Sequence, residues 1–87
     1  MYSILYSPVA LKSLKSLPVD IAEKIVRSIK EIQDSPKVHV KKLKGFIKSP
    51  LYSLRVGEYR VIMSIEDEKL IIFVIEVGHR SKIYPKY

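Results

Sequence analysis

Arg55-Val56-Gly57-Glu58-Tyr59-Arg60 separates two alternating runs, Tyr52-Ser53-Leu54 before it and Val61-Ile62-Met63-Ser64-Ile65 after it. Apolar residues at every second position mark strands with one covered face. Gly57-Glu58 puts glycine at the first central position of a two-residue turn, where a type II′ hairpin needs positive φ. That turn sets a register: Val56 opposite Tyr59, Arg55 opposite Arg60, Leu54 opposite Val61. Like charges directly opposite each other cost a sheet up to about 1 kcal/mol. An anionic ligand lying across that face is the simplest offset.

Outward from the hairpin, three strands are expected at about 51–56, 59–66 and 69–77, the second joint being Asp67-Glu68. Tyr52, Leu54, Val56, Tyr59, Val61, Met63 and Ile65 fall on one face, taken as the core. Leu51, Ser53, Arg55, Arg60, Ile62 and Ser64 fall on the other. Leu70 to Ile75 is apolar on both faces, as a central strand is. Upstream, Tyr2 to Tyr6 alternates and reads as a short strand. Ser7-Pro8 is an N-cap with proline at the first helical position. Ala10, Leu11, Leu14 and Leu17 stripe a short helix that Pro18 stops. Ile21, Ile25, Ile29 and Ile32 stripe a second one that ends near Asp34-Ser35-Pro36. Two helices so closely connected should form a hairpin packed on one sheet face. The expectation is a single α+β domain over residues 1–87: strand, two helices and a three-stranded meander, the helices covering one face of a four-stranded sheet.

The 87 residues carry a net charge of +7, unevenly spread. Residues 37–64 hold Lys37, Lys41, Lys42, Lys44, Lys48, Arg55 and Arg60 against Glu58 alone, and Arg80, Lys82 and Lys86 follow in the tail. A localised field of this kind speeds encounter with polyanions or acidic proteins. Taken singly, the loop lysines are explained as well by a solvated face. There is no cysteine, which excludes disulfides and cysteine-based metal sites. Paired carboxylates, a Ser/His/Asp set, a glycine-rich phosphate loop and metal-ligand spacings are all missing, so neither metal nor cofactor is expected. The longest apolar run falls far short of the ~20 residues of a membrane helix. No secretion signal is recognisable at Met1-Tyr2-Ser3, and a cytoplasmic protein is expected.

The layout, with Arg55-Val56-Gly57-Glu58-Tyr59-Arg60 and Val77-Gly78-His79-Arg80-Ser81-Lys82-Ile83-Tyr84, resembles the RelE/ParE superfamily of toxins from prokaryotic toxin–antitoxin pairs. Leu17-Pro18 and Lys42-Leu43-Lys44-Gly45 add to the likeness, and the terminal tyrosine favours the RelE branch. That resemblance implies a metal-independent endoribonuclease, an mRNA interferase that cuts the codon in the ribosomal A site and is silenced by a RelB-like antitoxin. It also admits two rivals: a ParE-like poison of DNA gyrase, and a degenerate toxin fold that binds without cutting.

Metal-free RNA cleavage needs charge stabilisation on the phosphoryl oxygens, activation of the 2′-hydroxyl and protonation of the departing 5′-oxygen. Guanidinium groups suit the first task, because their planar donor fork matches phosphate. Arg60 and Arg80 match catalytic arginines of the superfamily, and Tyr84 its catalytic tyrosine, placed to orient the 2′-hydroxyl or stack on a base. Leu51 and Ser53 stand where the RelE branch carries lysines. Proton transfer then passes to Lys41, Lys42, Lys44 or Lys48, or to His79, whose residue type is the one best tuned near neutrality. Arg55, the four loop lysines and Lys82 are the expected substrate-binding groups. Tyr59 is assigned to the core and His39 receives no role. An antitoxin segment is expected to bring acidic side chains to Arg55 and Arg60 and apolar ones to Ile62, Phe73 and Ile75.

Overall fold

A computed structural model of the chain describes residues 1–45 and 49–87. Among the described residues five strands form one sheet in the order β1 (Ser3–Tyr6), β5 (Ile71–His79), β4 (Tyr59–Glu66), β3 (Tyr52–Val56), β2 (Lys41–Lys42). β1 runs parallel to β5 and every other pairing is antiparallel. Helices α1 (Pro8–Ser16) and α2 (Val19–Glu31) cover one face, and a single turn of helix, α3 (Arg80–Ile83), follows β5. The hairpin has the anticipated register, Val56 with Tyr59 and Arg55 with Arg60, and Gly57 sits at φ +59°.

Ile25 and Ile29 of α2 are fully buried against Leu54, Val56, Val61, Met63, Ile72 and Val74. Burying each such side chain contributes about 1.5–3 kcal/mol. Leu11 departs from the expected stripe: it stays 45% exposed, and Ala10 is the fully buried residue of α1.

Three differences from the sequence reading matter for function. The sheet has a fifth strand, because Lys41 and Lys42 leave the basic loop to pair with Ser53 and Tyr52. The second joint is longer than Asp67-Glu68: Glu66 pairs with Ile71, and Leu70 adopts φ +54° to close the turn. Third, β5 contains a bulge. Val74 pairs with Met63 and Glu76 with Ile62, which leaves Ile75 as an extra residue. Such a residue reverses the face assignment of everything beyond it. Ile72 and Val74 are buried before the bulge, Val77 after it.

Ser7 holds this bulge. Its backbone N–H donates to the Val74 carbonyl at 2.9 Å, and its hydroxyl donates to the Ile75 carbonyl at 2.6 Å. The same oxygen accepts the Ala10 N–H at 3.0 Å, capping α1. One buried serine thus serves helix and strand together. Elsewhere, Asp67 accepts from Lys37 at 2.6 Å and from the Tyr2 hydroxyl at 2.8 Å, tying the second joint to the first strand and to the loop after α2.

Ser7→Ala should lower stability by about 1–2 kcal/mol, the loss of a cap and of a partly buried hydrogen bond. Urea unfolding should show this as a lower midpoint at unchanged slope. Hydrogen bonds from Lys37 and Tyr2 hold the Asp67 carboxyl below its ordinary value of 3.8. A depressed carboxyl stabilises the fold above its unfolded pKa, and that contribution is lost as pH falls through the folded one. Asp67→Asn should therefore be less stable than wild type at neutral pH and show a shallower decline below about pH 4, read from denaturation curves at both ends of the range.

Candidate active site

The face of the sheet away from α1 and α2 carries a cleft of about 450 Å³. Its floor is Ser53 and Arg55 of β3 with Arg60 and Ile62 of β4. Lys41 and Leu43 line one side, and Ile83, Tyr84 and Tyr87 of the tail line the other. Glycine opposite Arg60 makes this possible: Arg60 pairs with Gly78, and a Cβ there would lie 3.1 Å from the Ile83 side chain. The tail therefore folds back onto the sheet with Ile83 only 2% exposed. Glu76 fastens it further, accepting from Lys86 at 2.6 Å and from the Tyr87 hydroxyl at 3.0 Å. Burial and the Glu76 carboxylate push the Tyr87 phenol above its ordinary pKa. Of the residues expected to receive apolar antitoxin side chains, Ile62 is only 1% exposed, while Phe73 stays 37% exposed.

Arg60 donates from Nη2 to the Tyr84 hydroxyl, and its guanidinium carbon lies 5.1 Å from the centre of the Tyr84 ring. Nη1 donates to the Tyr59 carbonyl at 3.3 Å. The guanidinium is thus oriented by its own chain, and the Arg55 side chain is exposed in the same cleft. Arg80 stands at the hairpin turn: its N–H donates to the Glu58 carbonyl at 2.9 Å, and its guanidinium lies 3.5 Å from the Glu58 carboxylate. It is half-exposed and does not line the cleft.

His79 sits on the other face. It pairs with Tyr59, and the two rings meet edge to face at 5.5 Å between centres. Its Nδ1 accepts the Ser81 N–H at 3.1 Å and lies 3.0 Å from Ser81 Oγ, so the imidazole caps α3. That bond requires a lone pair on Nδ1, which puts the ring proton of the neutral form on Nε2. Of the expected lysines, Lys41 alone lines the cleft among the described residues. Lys42 pairs with Tyr52 on the helix-covered face, Lys44 and Lys82 are exposed elsewhere, and Lys48 lies outside the described residues. No group of three or more carboxylates or histidines that could hold a metal ion occurs among the described residues.

The profile of the family described as "ParE toxin of type II toxin-antitoxin system, parDE" matches residues 4–84. The chain belongs to the RelE/ParE toxin superfamily. It is 34% identical over 77 residues to the mRNA interferase toxin RelE of Escherichia coli (strain K12), covering 86% of this chain and 81% of that protein. It is similar to the toxin–antitoxin complex RelBE2 from Mycobacterium tuberculosis, with a TM-score of 0.80 at 26% identity over 91% of this chain and 98% of the other. The intact Escherichia coli RelBE complex gives 0.76 at 28% identity over 91% and 96%. Within this RelE/ParE fold, sequence reasoning missed Glu76, Ile83 and Tyr87, which place Tyr84. A readable signal was present for Glu76, the lone acid among the apolar residues of β5.

His79→Ala should destabilise the fold by about 1 kcal/mol, the usual worth of a helix cap. His79→Asn, which offers an oxygen to the same N–H, should recover most of it. Hydrogen exchange at the Ser81 amide should be fast in the alanine variant and protected in the asparagine one.

Proposed function

We propose that this chain is a single-domain, cytoplasmic RelE-type toxin: a metal-independent endoribonuclease that cuts mRNA in the ribosomal A site and is neutralised by a RelB-like antitoxin. The observation that carries the reading is Arg60 locked onto Tyr84 beside Arg55, in a cleft open to a polyanion. A guanidinium already oriented needs little reorganisation when charge builds on the phosphoryl oxygens. Tyr84, 54% exposed and in contact with that guanidinium, is available to the 2′-hydroxyl or to a base face. Arg80 acts from the hairpin end, where breaking its exposed pairing with Glu58 costs little. The 34% identity to a protein named as an mRNA interferase supports the same reading. His79 positions the tail rather than moving protons, since its ring lies on the opposite face. For the antitoxin, the apolar patch formed by Leu5, 50% exposed, and Phe73 beside it offers a docking surface next to the basic cleft.

A second reading rests on the matching family profile, which is named for ParE. In that case the basic cleft would recognise gyrase and no RNA would be cut. Primer extension on mRNA in programmed ribosomes separates the two. Wild type should give discrete cuts within the A-site codon. Arg60→Ala and Arg80→Ala should slow them by about 10²–10³-fold, the usual worth of one charge-stabilising group, and Tyr84→Phe should slow them less. Intact mRNA at saturating toxin, together with loss of supercoiling by purified gyrase, would establish the second reading instead.

A further inference from the structure

Cleavage by 2′-hydroxyl attack forms an O2′–P bond and breaks the P–O5′ bond, and the departing 5′-oxygen must gain a proton. The groups lining the cleft can be tested one by one for that task. Arg55 and Arg60 hold their protons too tightly to give them up. The Tyr87 hydroxyl is committed to Glu76, and burial and that carboxylate keep the proton on it. His79 is on the far face, with Nδ1 engaged by Ser81 and its ring against Tyr59. Ser53 offers only an unactivated hydroxyl. Tyr84 accepts from Arg60, which places its oxygen on the tail side of the cleft. Of the described residues that line the cleft Lys41 is left, and no hydrogen bond or ion pair with another described residue holds its ammonium.

Position supports the same residue. The strand order β5-β4-β3-β2 puts Arg60 and Arg55 on the two inner strands, Lys41 on the edge strand beyond them, and Tyr84 on the tail at the opposite side. Lys41 pairs with Ser53 and shares its face, two strands or roughly 10 Å from β4, a gap that a lysine side chain and one phosphodiester can span together. In-line displacement places nucleophile and leaving group on opposite sides of phosphorus. A phosphate held by Arg55 and Arg60 therefore meets one functional group on each side.

We propose that Lys41, carried by the short edge strand, is the proton donor to the 5′-oxygen in this toxin. The proposal rests on the mRNA-interferase reading and adds to it a catalytic group from outside the hairpin and tail. The Lys41 ammonium gives its proton to the 5′-oxygen as the P–O5′ bond breaks. The 2′-hydroxyl proton leaves to water on the Tyr84 side, and the amine regains a proton from solvent. The products are a 2′,3′-cyclic phosphate and a free 5′-hydroxyl.

The test uses single-turnover cleavage on programmed ribosomes with two mRNAs, one natural and one carrying sulfur in place of the scissile 5′-oxygen, since a thiolate departs without protonation. On natural mRNA, Lys41→Ala and Lys41→Arg should both be slower than wild type by about 10²–10⁴-fold, the worth of a positioned general acid. On the sulfur-containing mRNA both should come within a few fold of wild type, whereas Arg60→Ala stays slow on each. Wild-type rates for Lys41→Arg on natural mRNA would overturn the proposal, because charge alone would then suffice. Persistent slowness of both Lys41 variants on the sulfur substrate would overturn it too, by moving Lys41 to binding. A wild-type protein that cuts neither mRNA would instead remove the interferase reading, and the assignment with it.

Discussion

The organisation of the site depends on one serine. Ser7 caps α1 and, through the same side-chain oxygen, holds the carbonyl of Ile75 at the bulge in β5. Without the extra residue, strict alternation would turn His79 toward Arg60 and bury Gly78 beneath the helices. With it, Gly78 lies opposite Arg60, and the imidazole goes to the helix face, where it meets Tyr59. The bulge thus decides which chemistry belongs to the cleft. It also opens the space above Gly78 that Ile83 fills, and so sets the path of the tail. A contact at residue 7 governs geometry at residue 84.

Electrostatic conflict is resolved on the same scale. Arg55 and Arg60 stand opposite each other, an arrangement that costs a sheet stability. Arg60 is drawn onto the face and hydroxyl of Tyr84, and Arg80 is paired at the turn with Glu58. Arg55 and Lys41 are left exposed toward the cleft. Positive charge is therefore graded across it, from internally engaged on the tail side to exposed on the edge-strand side. An incoming phosphodiester meets uncompensated charge first at β2 and β3.

Much of the fold was legible in the residues. The hairpin register followed from Gly57-Glu58, the first helix from Ser7-Pro8, and the core face from the alternation of Tyr52, Leu54, Val56, Val61 and Met63. These are local patterns, and local chemistry specifies them. The bulge was not legible in the same way. Ile71 to Ile75 is apolar throughout, and such a run carries no phase, so the inserted residue announces itself only in the later burial of Val77. The pairing of Lys41 with Ser53 was equally hidden, because two lysines at an exposed edge carry no strand signature. The site residues Arg55, Arg60 and Tyr84 were named from the sequence and meet in the cleft. Which of the remaining basic groups faces them is a matter of parity across strands, a non-local property.

The parallel pairing of β1 with β5 has a consequence for how the molecule comes into being. Ser3 through Tyr6 finds its partner among residues 71–74, so the first strand synthesised waits for nearly the last. Contacts so distant in sequence close late and slowly, after the local hairpin and helices have formed. Emergence of the chain from the ribosome therefore orders the events: the β3–β4 hairpin can form early, yet Ser7 has no bulge to grip until residue 75 has emerged, and Arg60 no tyrosine until residue 84 has. A nascent chain of this design holds Arg55 and Arg60 for a time without the frame that arms them.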